Sequence, residues 1–178
     1  MLSPKIVRPV HVMHAALALG AGAWLAPSSA RAAVALAGDL EFDAPSHSDV
    51  DTALAFGVRL GWQLHLPLIV FTPEVGYHHA AFGDDITLNR GFVGVRLGIG
   101  EAFRIGAFGH IGVGHAAFHF TDDQDITDAS YDVGGFLDFT LLPLLDLGVH
   151  AGYGRLKAGE GGEPVEWVPV GAHVTLVF

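Results

Sequence analysis

Histidines, clustered carboxylates and a few serines are the side chains in this sequence that could do chemistry. Histidine occurs eleven times, and His78, His79, His115 and His119 gather near the ends of two alternating segments. Neutral imidazole ligates zinc or copper well. His115 and His119, however, stand four residues apart on a strand, about 13 Å at the usual rise, too far to hold one ion together. His78 and His79 are adjacent, so a strand turns them to opposite faces. All four are expected at the rim of an interfacial belt, and no metal site is expected. The segment SHSD at Ser46–Asp49 has the residue types of a nucleophile, a base and a carboxylate. Asp84 and Asp85 with His79 supply an aspartate-type alternative, and Ser46, His47 and Asp85 make the best of the catalytic sets. Neighbours in one loop seldom converge as a triad, so neither catalysis nor a cofactor is expected.

The carboxylates form two populations. One lies in acidic connecting segments: Asp43, Asp49 and Asp51; Asp84 and Asp85; Asp122, Asp123, Asp125 and Asp128; Glu160, Glu163 and Glu166. The run TDDQDITD is similar to part of a calcium loop but lacks its glycine and its terminal Glu at the right offset. Facing outward, such a cluster could bridge through divalent cations to anionic lipopolysaccharide or meet a basic partner. The simpler reading is a solvated surface that repels its neighbours. The second population lies inside alternating segments, where it shares a face with arginines.

The elements that must position these groups are strands. The 178-residue chain is 51% apolar and 16% charged, with a mean hydropathy of +0.43, which excludes a disordered chain. Nine Lys+Arg against nineteen Asp+Glu argue against a nucleic-acid partner. With no cysteine there is no disulfide, thiolate metal site or Cys nucleophile. Residues 1–32 are expected to be a signal peptide: Lys5 and Arg8 precede an apolar run from Val10 to Leu25, and Ala30-Arg31-Ala32 offers an A-x-A cleavage site. Residues 33–178 then form one exported domain with no further run of ~20 apolar residues able to span a bilayer as a helix.

Within that domain apolar residues recur with period two in eight segments. Leu54, Phe56, Val58, Leu60, Trp62 and Leu64 alternate with Ala55, Gly57, Arg59, Gly61, Gln63 and His65. Val93–Ile99, Leu145–Tyr153 and Val168–Phe178 repeat the pattern, and Val34–Phe42, Ile69–Tyr77, Phe103–Phe118 and Tyr131–Leu141 follow it more loosely. The connections alternate too. Those around His65–Pro67, Gly100–Ala102 and Leu142–Leu144 are tight, whereas those after the first, third, fifth and seventh segments are longer and acidic.

One face of these strands carries no charge through its middle, as expected where a midplane Arg or Lys costs ~2–4 kcal/mol in lipid. The other is rich in glycine, with charges spread thinly through it: Asp39, Glu41, Arg59, Glu74, Arg96, Arg104, Asp132, Asp138, Asp146, His150 and His173, besides Gln63 and His110. Glycine weakens a solvated strand for no return but fits a crowded bore. The apolar face therefore looks outward to lipid and the charges look inward. A soluble lipocalin-like calyx would reverse the faces. Inside, Arg59, Arg96 and Arg104 are expected to pair with the acids, plugging the bore; a gated ion path is the alternative.

The leader, the eight alternating segments, the short-long rhythm of connections and the terminal HVTLVF together resemble small outer-membrane β-barrels of the OmpA/OmpX type. That resemblance implies an all-β, eight-stranded antiparallel up-and-down transmembrane barrel in the bacterial outer membrane. It implies outer-membrane lipid and lipopolysaccharide as surroundings, and a monomeric protein with a structural, envelope or surface-interaction role. It also implies that Phe178 is the terminal aromatic presented to the barrel-assembly machinery. A narrow porin-like channel and a barrel enzyme acting on membrane lipid are the other functions known on this scaffold.

Overall fold

The computed structural model describes residues 31–46, 51–84, 86–119, 124–158 and 163–178. Among them eight strands run β1 Arg31–Pro45, β2 Ala53–His65, β3 Ile69–Phe82, β4 Ile86–Ile99, β5 Phe103–Phe118, β6 Gln124–Leu142, β7 Leu145–Leu156 and β8 Val165–Val177. Each pairs antiparallel with the next, and β8 returns to β1 to close a barrel. The last residue takes part in the seam: Phe178 and Val34 exchange backbone hydrogen bonds of 2.9 and 3.0 Å. Closure leaves no unpaired sheet edge, which is how a β structure survives where no water can satisfy its backbone. Arg31 and Ala32, assigned by the sequence to the end of the leader, already pair with His65 and Leu64. The rest of the expected leader lies outside the described residues.

Period-two alternation sorts the side chains as the sequence implies. Leu40, Phe42, Ile111 and Val149 are more than half exposed on the outside, while Asp39, Arg59, Arg104 and His150 are buried within. Among the described strand residues, charged side chains occupy outward positions only at Asp125, Arg155 and Glu166, all near the ends of strands beside long connections. Tyr77, Tyr131 and Tyr153 ring that end, and Trp62, Phe103, Phe139 and Phe178 ring the other. From Tyr131 to Phe139 is about 27 Å along a strand. Allowing for a barrel strand's tilt, this approaches the ~25 Å apolar band of membrane barrels. An apolar surface that encircles a molecule far exceeds the patches soluble monomers expose.

The glycines explain how the bore is filled. Across neighbouring strands a large inward side chain repeatedly faces a glycine: Asp39 opposite Gly57, Phe92 opposite Gly112, Phe136 opposite Gly106 and Trp167 opposite Gly154. Small barrels alternate large and small residues because eight strands enclose only enough space for side chains. At the long-connection end the bore is closed by an apolar layer that includes Phe82, Leu88, Leu156 and Trp167.

The structure corrects the lengths of the connections. Strands β3 and β4 run on to Phe82 and from Ile86, leaving a connection of residues 83–85 as short as those at the opposite end. Gly83, with a φ of 60°, makes its turn. Likewise β6 begins at Gln124, so Asp125 and Asp128 are strand residues and not loop residues. Asp43, expected in the first acidic loop, is fully buried inside the barrel. In each case alternation continues past the point where the apolar face becomes polar.

The packing of glycine against neighbouring strands is testable. A methyl group at Gly112 would stand 2.0 Å from the Gly91 carbonyl oxygen and 2.8 Å from the Phe92 Cα. Backbone atoms cannot swing aside, so Gly112→Ala should cost roughly 1–3 kcal/mol. Gly109→Ala, whose outward methyl would meet only the Asp132 carbonyl at 4.0 Å, should leave stability nearly unchanged. Urea unfolding of the refolded barrel in detergent measures both.

Candidate functional site

The chemistry of this protein is concentrated in its lumen. Alternate residues of all eight strands aim there, and the charged ones meet across the bore. Arg59 on β2 is the hub of the middle layer. Its Nε and Nη2 donate to the two Asp39 oxygens at 2.9 and 2.8 Å, and its Nη1 donates to Glu74 at 2.9 Å. His110 continues the chain, with Nε2 2.7 Å from Glu74 and Nδ1 2.8 Å from Asp132. Arg90 completes it, pairing with Asp132 and donating from Nε to Ser130 at 3.2 Å. The Arg90 guanidinium also lies 5.1 Å from the Trp167 ring centre and 5.5 Å from that of Phe92, within cation–π range.

A second layer lies nearer the tight turns. Arg104 donates to Asp146 at 2.6 Å and to Asp138 at 3.3 Å, and Thr140 donates to Asp146 at 2.7 Å. Arg96 stands 3.6 Å from Asp138 and 4.0 Å above the Phe136 ring centre. His173 contacts Asp138 through Nε2 at 2.8 Å and His150 through Nδ1 at 3.1 Å. His150 reaches Glu41 at 3.3 Å. Glu41 in turn joins His78 and Asp43 beneath the apolar layer.

The predicted lumen residues Asp39, Glu41, Arg59, Glu74, Arg96, Arg104, Asp132, Asp138, Asp146, His150 and His173 therefore all face one interior and contact one another. Sequence reasoning missed three members of the set. Arg90 and His78 fall in the stretch read from the sequence as the second long connection, and Asp43 in the first. His78, expected at the rim, is buried in the bore at 4% exposure. Each keeps the parity of an inward neighbour, Arg90 with Arg96, His78 with Glu74 and Asp43 with Glu41. That parity was the available signal.

Among the described residues the other candidates do not assemble. His79 turns outward, where its Nδ1 donates to Asn89 Oδ1 at 2.9 Å beside the Tyr77 hydroxyl, which donates to the same oxygen at 2.5 Å. His115 hydrogen-bonds with Thr127 at 2.9 Å, and His119 is exposed. Ser46 is exposed at the end of β1, with its amide donating to the Glu166 carbonyl at 3.0 Å. His47, Asp85, Asp122 and Asp123 lie outside the described residues. Asp84 and Asp125 are exposed towards the long connections.

The lumen can hold charge, but it has little room for a substrate. Two small cavities offer about 20 and 30 Å³ for the centres of water molecules, one lined by Arg59, Glu74, Arg96 and Asp138, the other by Glu41, His78, Arg90 and His110. Each accommodates a water or two.

No protein-family model matches the sequence, and no curated protein matches it. Solved structures do. Neisserial surface protein A aligns with a TM-score of 0.61 at 14% identity, covering 85% of this chain and 100% of that one. The attachment invasion locus protein Ail of Yersinia pestis gives 0.55 at 14% identity, over 83% of this chain and 97% of its own. The outer membrane enzyme PagL gives 0.52 at 14% identity, over 79% and 98%. The chain has the fold of the small eight-stranded outer-membrane barrels.

Because Arg59 holds two buried carboxylates, Arg59→Met strands both. Breaking a buried pair from one side costs about 3–5 kcal/mol, and this loss should appear in urea unfolding. Arg155→Met is the comparison: it breaks partly exposed contacts with Glu166, at 3.4 Å, and with Tyr131, and should cost under about 1 kcal/mol.

Proposed function

We propose that this protein is a small integral protein of the bacterial outer membrane, monomeric, with a structural, envelope or surface-interaction role and a bore plugged by its own ion pairs. One observation carries the reading: the barrel turns an uninterrupted apolar belt outward while its arginines and acids pair across the interior. That distribution suits lipid outside and a sealed core within, and it is the reverse of a soluble calyx. The fold shared with outer-membrane barrels supports the location.

In this role the mechanism is mechanical. The apolar belt seats the barrel among outer-membrane lipid and lipopolysaccharide, and the ionic layers hold its cross-section rigid. The exposed acids Asp84 and Asp125 present negative charge to whatever lies outside, and Asp85, Asp122 and Asp123 of the expected acidic connections belong to the same reading. Phe178, exposed at the seam of β1 and β8, is suited to recognition by the assembly machinery during insertion.

A narrow channel is the second reading, favoured by the small polar cavities along the bore. The Arg59 and Arg104 clusters would have to open for ions to pass, and the apolar layer around Leu88 and Trp167 would have to part. Likeness to PagL, an outer membrane enzyme, keeps a barrel enzyme in view; Ser46, His47 and Asp85 are the residues such a reading would call on.

The test is fractionation followed by electrophoresis of heated and unheated samples, then recording in planar bilayers. The protein should sediment with the outer membrane and change mobility on heating, and its purified form should give no conductance steps. Steady single-channel steps would replace the plug with a pore. Recovery from the soluble fraction without detergent would overturn the membrane reading altogether. Lipid A should keep its mass when the protein is expressed.

A further inference from the structure

Beneath the apolar layer, Glu41, Asp43 and His78 converge in a way the ionic plug does not account for. The ligand-capable atoms of the three lie within 4.8 Å of one another. Asp43 is 0% exposed and His78 4%, yet neither Asp43 oxygen and neither His78 ring nitrogen has a hydrogen-bond partner. Elsewhere in the bore carboxylates and imidazoles are well bonded, Asp39 by Arg59 and His110 by Glu74 and Asp132. A fully buried carboxylate without a hydrogen bond is costly, and the close neighbour of Asp43, His78 Nε2, does not supply one.

The distances describe what that is. His78 Nε2 stands 3.3 Å from Asp43 Oδ2 and 3.5 Å from Glu41 Oε2. These contacts are poorly directed for hydrogen bonding. Donors bound at about 2.0–2.2 Å around a tetrahedral ion lie about 3.3–3.6 Å apart. One imidazole nitrogen and two carboxylate oxygens are a donor set for a divalent ion such as zinc. The cavity touching Glu41 and His78, at about 30 Å³, has room for a water as fourth ligand. The outer oxygen of Glu41 is held by His150 at 3.3 Å, the kind of support that orients a metal-bound carboxylate.

Charge points the same way. Among the described residues the bore contains seven carboxylates, Glu41 and six buried acids, against four buried arginines. Glu41 and Asp43 are the two acids with no arginine in contact. A divalent cation would neutralise that pair. We propose that Glu41, Asp43 and His78 form a buried site for a divalent zinc-class cation, with His150 as the outer support of Glu41. The inference does not depend on where the barrel resides.

Refolding from denaturant in detergent with added zinc avoids any barrier to entry, and metal content is then measured after dialysis against weak chelator. The wild-type barrel should retain about one zinc per chain. His78→Ala and Asp43→Asn should lose at least ten-fold in affinity, and His150→Ala should weaken binding about ten- to a hundred-fold. His79→Ala, one residue away on the outward face, should bind as the wild type does. The heat-dependent gel shift reports folding of each variant, and His78→Gln serves where alanine destabilises the barrel. A wild-type barrel that refolds but retains no zinc overturns the site. So does retention by folded His78→Ala or His78→Gln equal to that of the wild type.

Discussion

An eight-stranded barrel has room inside for side chains but not for a column of water. Every charge that alternation points inward must therefore be answered by another across the bore. This constraint organises the molecule. It requires Arg59 to hold Asp39 and Glu74 together, sets Arg104 between Asp138 and Asp146, and places glycines opposite the largest inward residues so that guanidinium groups can cross. The plug is therefore a consequence of putting charges into so narrow an enclosure.

The same constraint explains the division of labour along the barrel axis. The two ionic layers occupy the middle and the tight-turn end, and His150 with His173 links them to the Glu41 group above. The far end is apolar, where Leu88, Leu156 and Trp167 are almost fully buried. An apolar layer keeps water from the long-connection side away from the ion pairs beneath it, and so preserves the low dielectric in which they are strong. The outside repeats the logic in reverse: Arg155 and Glu166 appear only where the belt ends, in contact with each other.

Much of this was legible because period two is a rigid rule. Once Val58 and Leu60 face outward, Arg59 must face inward, and no tertiary information is needed. What alternation cannot give is where a strand stops. The residues 78–92 lose their apolar outward character, with Asn89 and His79 at the rim of the apolar belt, and so read as a long connection. The strands nevertheless continue, and with them the inward row that carries His78 and Arg90. Nor does parity give partners. Asp132 could have met any arginine, but the register and its height along the bore give it Arg90 and His110. The apolar closure was least legible of all, because Leu88 falls in the stretch read as a connection and Trp167 just before the last alternating segment.

The central claim is that the outward face meets lipid while the inward face is sealed from both lipid and water. The absence of native cysteine makes single-cysteine labelling a direct test. Val95 and Ile111 lie on the outside and Gly94 and Gly98 point into the bore. A cysteine at either of the first two positions, labelled with a fluorophore after reconstitution in lipid, should be quenched strongly by brominated acyl chains and weakly by iodide in water. A cysteine at Gly98 in the folded barrel should resist labelling from either phase. Iodide quenching at Val95 and Ile111 equal to that of a free label, with no effect of brominated lipid, would contradict the account.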